Sequence, residues 1–243
     1  MARVAPTVLF LHNEHLATEA LLGEAFADFG FDVATFTVVP AERVDAPAHD
    51  VTFPDPADYD VIVPLGARWP VYDDALLATW VSAEMQMMRD AADAGVALLG
   101  VCFGGQLLAQ AFGGTVSRSA DPEIGWYDIT TDRPDLVPPG PWFQWHFDRF
   151  TVPPGAVEIA RTPHATQAFV LGRTLGLQFH PELDHRLLTG WLGDDRDGEV
   201  LGFGLRHDEL LSRTAQLEDD ARRRIHALVG GFLNYVSAAA CPS

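Results

Sequence analysis

The chain has 243 residues, 48% of them hydrophobic, and carries 34 acidic against 16 basic residues, for a formal net charge of −18. This length suffices for one large α/β domain with a full core, and the ordinary hydrophobic fraction argues against a disordered chain. The acidic balance, in which no basic residue is a lysine, argues against nucleic acid or an anionic membrane as a partner, because both require basic patches.

The first part of the chain predicts alternating strands and helices. Apolar runs and turn residues predict strands at 7–11, 31–38 and 59–65, helices at 18–29 and from Asp73 or Asp74 to about Ala94, and a proline-rich loop at 41–57. An uncharged run then predicts a buried strand at 96–101, and apolar residues at helical spacing follow from Gly104. This order favours a mostly parallel, twisted sheet with helices on both faces.

After Gly114 the pattern favours an antiparallel extension of the same sheet. Short strands are expected at 115–118, 124–131, 143–146, 156–161, 167–171 and 175–179. The last part predicts helices at 183–192 and 210–236, the second with a charged, solvated face, and a loop at 192–200. Since no linker or repeat divides the chain, we expect residues 1–243 to form a single domain, with a core at about 7–183 and a helical C-terminal extension at about 184–243.

Cys102 lies where the strand at 96–101 turns directly into a helix, with Gly100 and Gly104 two positions to either side. These glycines leave room for the two backbones to approach, as in a nucleophile elbow with cysteine in place of serine. We expect the residue at the apex to project into solvent from a strained backbone, and the helix N-terminus to favour its thiolate. The alternative is a small buried cysteine in a glycine-rich turn, since free cysteines are often buried.

His180 and Glu182 follow the predicted strand at 175–179. Pro181 between them favours an extended backbone, in which side chains two positions apart point to the same side. The carboxylate can then bind one imidazole nitrogen and leave the other for a thiol. Because parallel strands end at one edge of a sheet, we expect His180 to meet Cys102 there. Taken alone, the His-Pro-Glu segment also fits a turn with a surface ion pair.

Two segments resemble the signatures of class I glutamine amidotransferases. Residues 100–106 resemble Gly-Ile/Val-Cys-x-Gly-x-Gln, and residues 176–182 resemble Gly-x-Gln-Phe-His-Pro-Glu. Residues 122–126 and 145–156 are similar to free-standing members that are like the amidotransferase domain of GMP synthase. The resemblance covers roughly residues 7–183, and it implies the flavodoxin-like fold of that family.

The resemblance also implies an activity, namely hydrolysis of the glutamine side-chain amide. Cys102 would attack the carboxamide carbon and form a γ-glutamyl thioester. His180 would accept the thiol proton and donate it to the leaving ammonia, while Glu182 would orient the imidazole. These three residues are the predicted catalytic triad.

The resemblance further implies two backbone donors for the oxyanion, at Phe103 and Gly66. Gly66 matches the second glycine of the family's glycine-rich loop, whereas Leu65 and Ala67 depart from its pattern. His146 and Asp148 repeat the two-residue spacing of His180 and Glu182. The bulky residues around them favour a structural role for this second pair. The residues expected to contact the substrate are Gln106, Trp145 and His146.

Neither a glycine-rich nucleotide-binding motif nor a metal-ligand spacing is present, so we expect no cofactor and no metal. Ammonia would then pass to an acceptor on a separate synthetase partner. One alternative is a γ-glutamyl hydrolase acting on a γ-glutamyl amide or peptide, with its pocket shaped by residues 66–69 and Trp126. Another is a catalytically silent binding or regulatory module.

The sequence also predicts a cytoplasmic protein. It contains only two cysteines, Cys102 and Cys241, and no pattern of a signal peptide or a membrane span. No feature of the sequence indicates an oligomeric state.

Overall fold

The computed structural model describes residues 5–195 and 198–239, so Cys241 lies outside the described residues. The strands are β1 (Thr7–His12), β2 (Asp32–Thr37), β3 (Val61–Pro64), β4 (Ala97–Val101), β5 (Val116–Thr131), β6 (Gly140–Phe150), β7 (Val157–Arg161), β8 (Thr166–Leu171) and β9 (Thr174–Leu177). The helices are α1 (Ala20–Asp28), α2 (Asp74–Leu77), α3 (Trp80–Asp93), α4 (Phe103–Ala111), α5 (His185–Gly193), α6 (Glu199–Gly202) and α7 (His207–Ala239), with 3-10 turns at Ala41–Arg43 and Pro56–Asp58.

The described strands form one mixed sheet in the order β2-β1-β3-β4-β9-β8-β7-β5-β6. Pairing is parallel from β2 through β9 and antiparallel from β9 through β6. Every residue of β3 and β4 is buried, as expected for parallel strands covered on both faces. The predicted α/β fold, with its antiparallel extension, is therefore confirmed.

Helices cover both faces of the parallel part. Neighbouring residues of β1 illustrate this, because successive side chains of a strand point to opposite faces. Phe10 packs with Phe26 of α1 and Phe232 of α7 in one cluster, whereas Leu9 packs with Trp80 of α3 in the other. In the described part of the chain, no helix combines the length and the apolar character needed to cross a membrane.

Two predicted elements differ from the structure. The single helix expected from Asp73 or Asp74 to Ala94 is broken into α2 and α3 around Thr79, whose hydroxyl donates to the Ala75 carbonyl oxygen at 2.9 Å. Such side-chain bonds compete with the helical ladder. Conversely, the strands expected at 115–118 and 124–131 form the single strand β5, which crosses the Asp-Pro interruption through a register shift between Arg118 and Glu123.

The C-terminal helix α7 contributes directly to the core. Its residues Ile225, Leu228 and Phe232 belong to the same buried cluster as the strands of one sheet face. Near its start, the Thr214 Oγ1 atom accepts a hydrogen bond of 2.9 Å from the indole of Trp126 in β5. The helix therefore anchors the antiparallel ribbon of β5 and β6 at the edge of the sheet.

Candidate active site

The turn at Cys102 is the most strained position of the site. Cys102 has φ 51° and ψ −109°, a region that residues other than glycine rarely adopt. A Cβ atom on Gly100 would lie 2.5 Å from the Gly104 carbonyl oxygen, and one on Gly104 would lie 1.9 Å from the Pro64 carbonyl oxygen. Both positions therefore require glycine, as the elbow pattern predicts.

The expectation that Cys102 projects into solvent is wrong, because the residue is only 6% exposed. Its Sγ atom lies 3.8 Å from the Trp145 carbonyl oxygen of β6 and 3.9 Å from Nε2 of Gln178. The ribbon strand β6 thus passes over the elbow and covers it. The thiol instead lines a pocket of about 440 Å³, in the size range of small-molecule sites.

His180 lines this pocket and forms a buried pair with Glu182. The His180 Nδ1 atom lies 2.7 Å from Oε1 of Glu182, as expected for side chains two positions apart in an extended segment. The backbone fixes both residues, since the His180 N–H donates to the Phe143 carbonyl oxygen at 2.8 Å and the Glu182 carbonyl oxygen accepts from Leu21 at 3.1 Å. Strand β6 and the start of helix α1 therefore hold the pair in place.

Cys102 and His180 meet at Gly66. A Cβ atom added to Gly66 would lie 3.2 Å from His180 Cε1 and 3.9 Å from Cys102 Cβ, and all three residues line the pocket. Burial alone lowers the pKa of His180, but the charges of Glu182 and of the Cys102 thiolate outweigh burial and raise this pKa well above its usual range. The arrangement therefore favours the protonated imidazolium form of His180.

The sequence predicts two backbone N–H groups as oxyanion donors, at Phe103 and Gly66. The Phe103 N–H belongs to the first turn of α4, where amides have no acceptor inside the helix. The Gly66 N–H has no acceptor among the described residues. The carbonyl of the same peptide group, that of Leu65, accepts from the Gly104 N–H at 3.1 Å and from Asn13 Nδ2 at 3.0 Å. Because the C=O and N–H of a trans peptide point in opposite directions, these bonds direct the Gly66 N–H away from α4.

The three residues expected to contact the substrate all line the pocket. Gln106 donates to the Asp148 carbonyl oxygen at 3.3 Å, and the indole of Trp145 donates to Glu199 at 2.7 Å. His146 Nε2 lies 3.1 Å from Glu123 Oε2. Its carboxylate partner is thus Glu123 on the neighbouring strand, which sequence reasoning missed because the pairing arises across two strands.

The pocket mouth carries an ion-pair cluster around Arg68. The guanidinium donates to Glu14 at 2.6 Å and to Asp194 at 2.7 Å, which joins the loop after β3 to the end of α5. Trp69 also lines the mouth, whereas Trp126 packs toward α7 through Thr214. The described residues contain no group of three or more His, Cys, Asp or Glu side chains arranged to hold a metal ion.

The sequence matches a protein-family model. The model described as "Glutamine amidotransferase class-I" matches residues 34–190, which is more than half of the chain. The chain belongs to the class I glutamine amidotransferase family. The matched region contains both segments that resemble the family signatures, so the recognition made from the sequence is confirmed.

Curated relatives of this amidotransferase chain include GMP synthases. The glutamine-hydrolyzing GMP synthase of Aeropyrum pernix is 34% identical over 128 residues, which are 47% of this chain and 25% of that protein. That of Thermomicrobium roseum is 28% identical over 193 residues, which are 76% of this chain and 36% of that protein. The chain thus matches only 25% to 36% of the length of these two relatives.

Solved structures of amidotransferases share the fold of this chain. A glutamine amidotransferase from Thermotoga maritima superposes with a TM-score of 0.80 at 22% identity, over 95% of this chain and 99% of the other. A glutamine amidotransferase from Methylobacillus flagellatus gives a TM-score of 0.79, also at 22% identity, over 96% and 95% of the two chains. The described fold, including α7, is therefore that of known class I amidotransferases.

Proposed function

We propose that this amidotransferase hydrolyses the side-chain amide of glutamine through Cys102, His180 and Glu182. The observation that supports the proposal most is that Cys102 and His180 line one pocket and that Glu182 contacts the imidazole of His180. A cysteine on a strained elbow lines the same cavity as an imidazole, and that imidazole lies 2.7 Å from a buried carboxylate. A cysteine buried only for packing would need neither the strained backbone nor this partner pair.

The proposed reaction begins with the Cys102 thiolate and the His180 imidazolium. The thiolate attacks the carboxamide carbon, and the Phe103 and Gly66 N–H groups stabilise the oxyanion of the tetrahedral intermediate. As the C–N bond breaks, His180 gives its proton to the leaving ammonia and a γ-glutamyl thioester remains. Water then attacks the thioester while His180 accepts a proton from that water. The C–S bond breaks, glutamate leaves, and the Cys102 thiolate and His180 imidazolium are restored.

Glu182 and the pocket wall have supporting roles in this proposal. Glu182 holds the imidazole in the orientation that presents its other nitrogen to the sulfur. Gln106, Trp145 and His146 would contact the glutamate part of the substrate. Gln106 comes from α4 and the other two residues come from β6, so two separate elements supply the proposed contacts.

The fate of the ammonia completes the proposal. The sequence contains no nucleotide-binding motif with which to activate an acceptor. We therefore propose that the ammonia is supplied to a separate synthetase in the cytoplasm. The matching relatives are glutamine-hydrolyzing GMP synthases, and a GMP-forming synthetase is the first partner to test.

A γ-glutamyl hydrolase remains the second candidate, because the pocket of about 440 Å³ has a mouth lined by Arg68 and Trp69. These large side chains could select a substituent on the amide nitrogen. The test offers the isolated chain glutamine and a panel of γ-glutamylated amines, and measures release of ammonia or amine. Turnover of glutamine supports the amidotransferase role. Turnover of substituted amides alone would favour the hydrolase, and no turnover of any of them would favour a silent module.

A further inference from the structure

Two buried polar side chains connect helix α3 to the backbone near Cys102. Asn13, in the loop after β1, and Glu84, in α3, are both fully buried. Asn13 Nδ2 donates to the Leu65 carbonyl oxygen at 3.0 Å, and the Glu84 carboxyl interacts with the Asn13 side chain. Neither residue belongs to the predicted triad, and no step of the proposed reaction uses them.

The hydrogen bond to Leu65 fixes the orientation of the Asn13 amide. Its NH2 group must face the carbonyl, so its Oδ1 atom faces the other way and needs a donor. Among the described residues, Asn13 Oδ1 and both carboxyl oxygens of Glu84 have no hydrogen-bond partner. A neutral Glu84 can donate its O–H to Asn13 Oδ1, which would satisfy both groups.

We propose that Asn13 and Glu84 are positioning residues for the oxyanion, with Asn13 orienting the Leu65–Gly66 peptide and the carboxylic acid of Glu84 holding Asn13. The inference rests on the proposed function, since it concerns the Gly66 N–H as an oxyanion donor. Asn13 and Gly104 both donate hydrogen bonds to the Leu65 carbonyl oxygen. The Gly66 N–H lies on the opposite side of the same peptide group and has no acceptor among the described residues, so it is available to the substrate.

Burial of Glu84 supports its role as a donor, because it raises the pKa of this carboxyl to about 8. The Asn13 side chain acts in the opposite direction and favours the carboxylate, but its effect is smaller than that of burial. The group is therefore mostly protonated at neutral pH. A donor held in place before the reaction stabilises developing negative charge without reorganisation, which is how oxyanion sites accelerate acyl transfer.

The test measures kcat and KM for the substrate that the wild type turns over, together with the rate of Cys102 alkylation by iodoacetamide. Alkylation needs the thiolate but develops no oxyanion, so it reports on Cys102 and His180 independently of Gly66. The variants are Asn13→Leu, Glu84→Leu and the conservative Glu84→Gln, whose amide can still donate to Asn13 Oδ1. Thr214→Val removes the hydrogen bond between Thr214 and Trp126, neither of which lines the pocket, and serves as the matched control.

We expect Asn13→Leu and Glu84→Leu to lower kcat by about 10- to 100-fold, somewhat less than the loss of an entire oxyanion donor. Their KM and alkylation rate should stay near the wild-type values, Glu84→Gln should keep most of the kcat, and Thr214→Val should lower only the melting temperature. If Asn13→Leu does not fold, Asn13→Asp keeps the shape and removes the donor.

An unchanged kcat in Asn13→Leu or Asn13→Asp would overturn the inference. So would a parallel fall in kcat and in alkylation rate, since this would show general damage to the Cys102–His180 pair. A wild type that turns over no γ-glutamyl compound would instead reject the proposed function itself, and the oxyanion role with it. The two failures are therefore distinguishable.

Discussion

His180 Nδ1 lies 2.7 Å from Glu182 Oε1, and both side chains are buried. This contact fixes which imidazole nitrogen faces the carboxylate, and it counters the effect of burial on the ring. The remaining nitrogen is then available to Cys102. The proposed mechanism requires one ring nitrogen of His180 to contact Glu182 and the other to face Cys102.

The first prediction concerns Glu182→Gln, which keeps the shape of the side chain and removes its charge. We expect kcat to fall by about 10² to 10⁴-fold, because the same loss in a Ser-His-Asp triad is of the larger size. The pKa of His180 should also fall, since the Glu182 charge is a principal cause of its elevation. Histidine NMR titration should therefore show a lower midpoint for His180. The exposed Glu42→Gln is the matched control, and an unchanged His180 titration would contradict the prediction.

The second prediction concerns the elbow glycines. In Gly104→Ala the new methyl group would overlap the Pro64 carbonyl oxygen, so we expect the free energy of unfolding to fall by about 3 kcal/mol, at the upper end for overpacking. Gly190→Ala is the control in α5, where an added Cβ meets no atom within 4 Å. That change should raise stability by about 0.5–1 kcal/mol. Similar results for the two variants in chemical denaturation would contradict the close approach.

The third prediction concerns Glu84 and pH. Its pKa is raised to about 8 in the folded state, so between the unfolded value and 8 the folded chain binds more protons than the unfolded chain. Stability must then decrease as pH rises through this window. Relative to Glu84→Gln, we expect the wild type to lose about 1.4 kcal/mol per pH unit between pH 5 and pH 7.5, and the difference to level off above pH 8. Parallel stability curves for the two proteins would contradict a neutral buried Glu84.

Local sequence signals predicted the elbow and the His180–Glu182 pair correctly. The glycines around Cys102 and the proline between His180 and Glu182 restrict the backbone within a few positions, and such local restrictions can be predicted from a sequence. The alternation of strands and helices likewise predicted the parallel part of the sheet. The C-terminal edge of that sheet then brought Cys102 and His180 together.

The remaining features depend on contacts between distant segments. Cys102 is covered by β6, and His146 pairs with Glu123 across two strands. Asn13 contacts Leu65, 52 positions later. Neither the burial of the thiol nor these polar partners follow from periodicity, because each depends on how the β5–β6 ribbon and the loops pack against the sheet.

The central claim is that the Cys102 sulfur performs the hydrolysis. Its most direct test is steady-state release of ammonia from glutamine by the wild type, Cys102→Ala and Cys241→Ala, with the last as the matched cysteine control. We predict wild-type rates for Cys241→Ala and no turnover above background for Cys102→Ala. Ammonia release by Cys102→Ala at a rate near that of the wild type would contradict the mechanism.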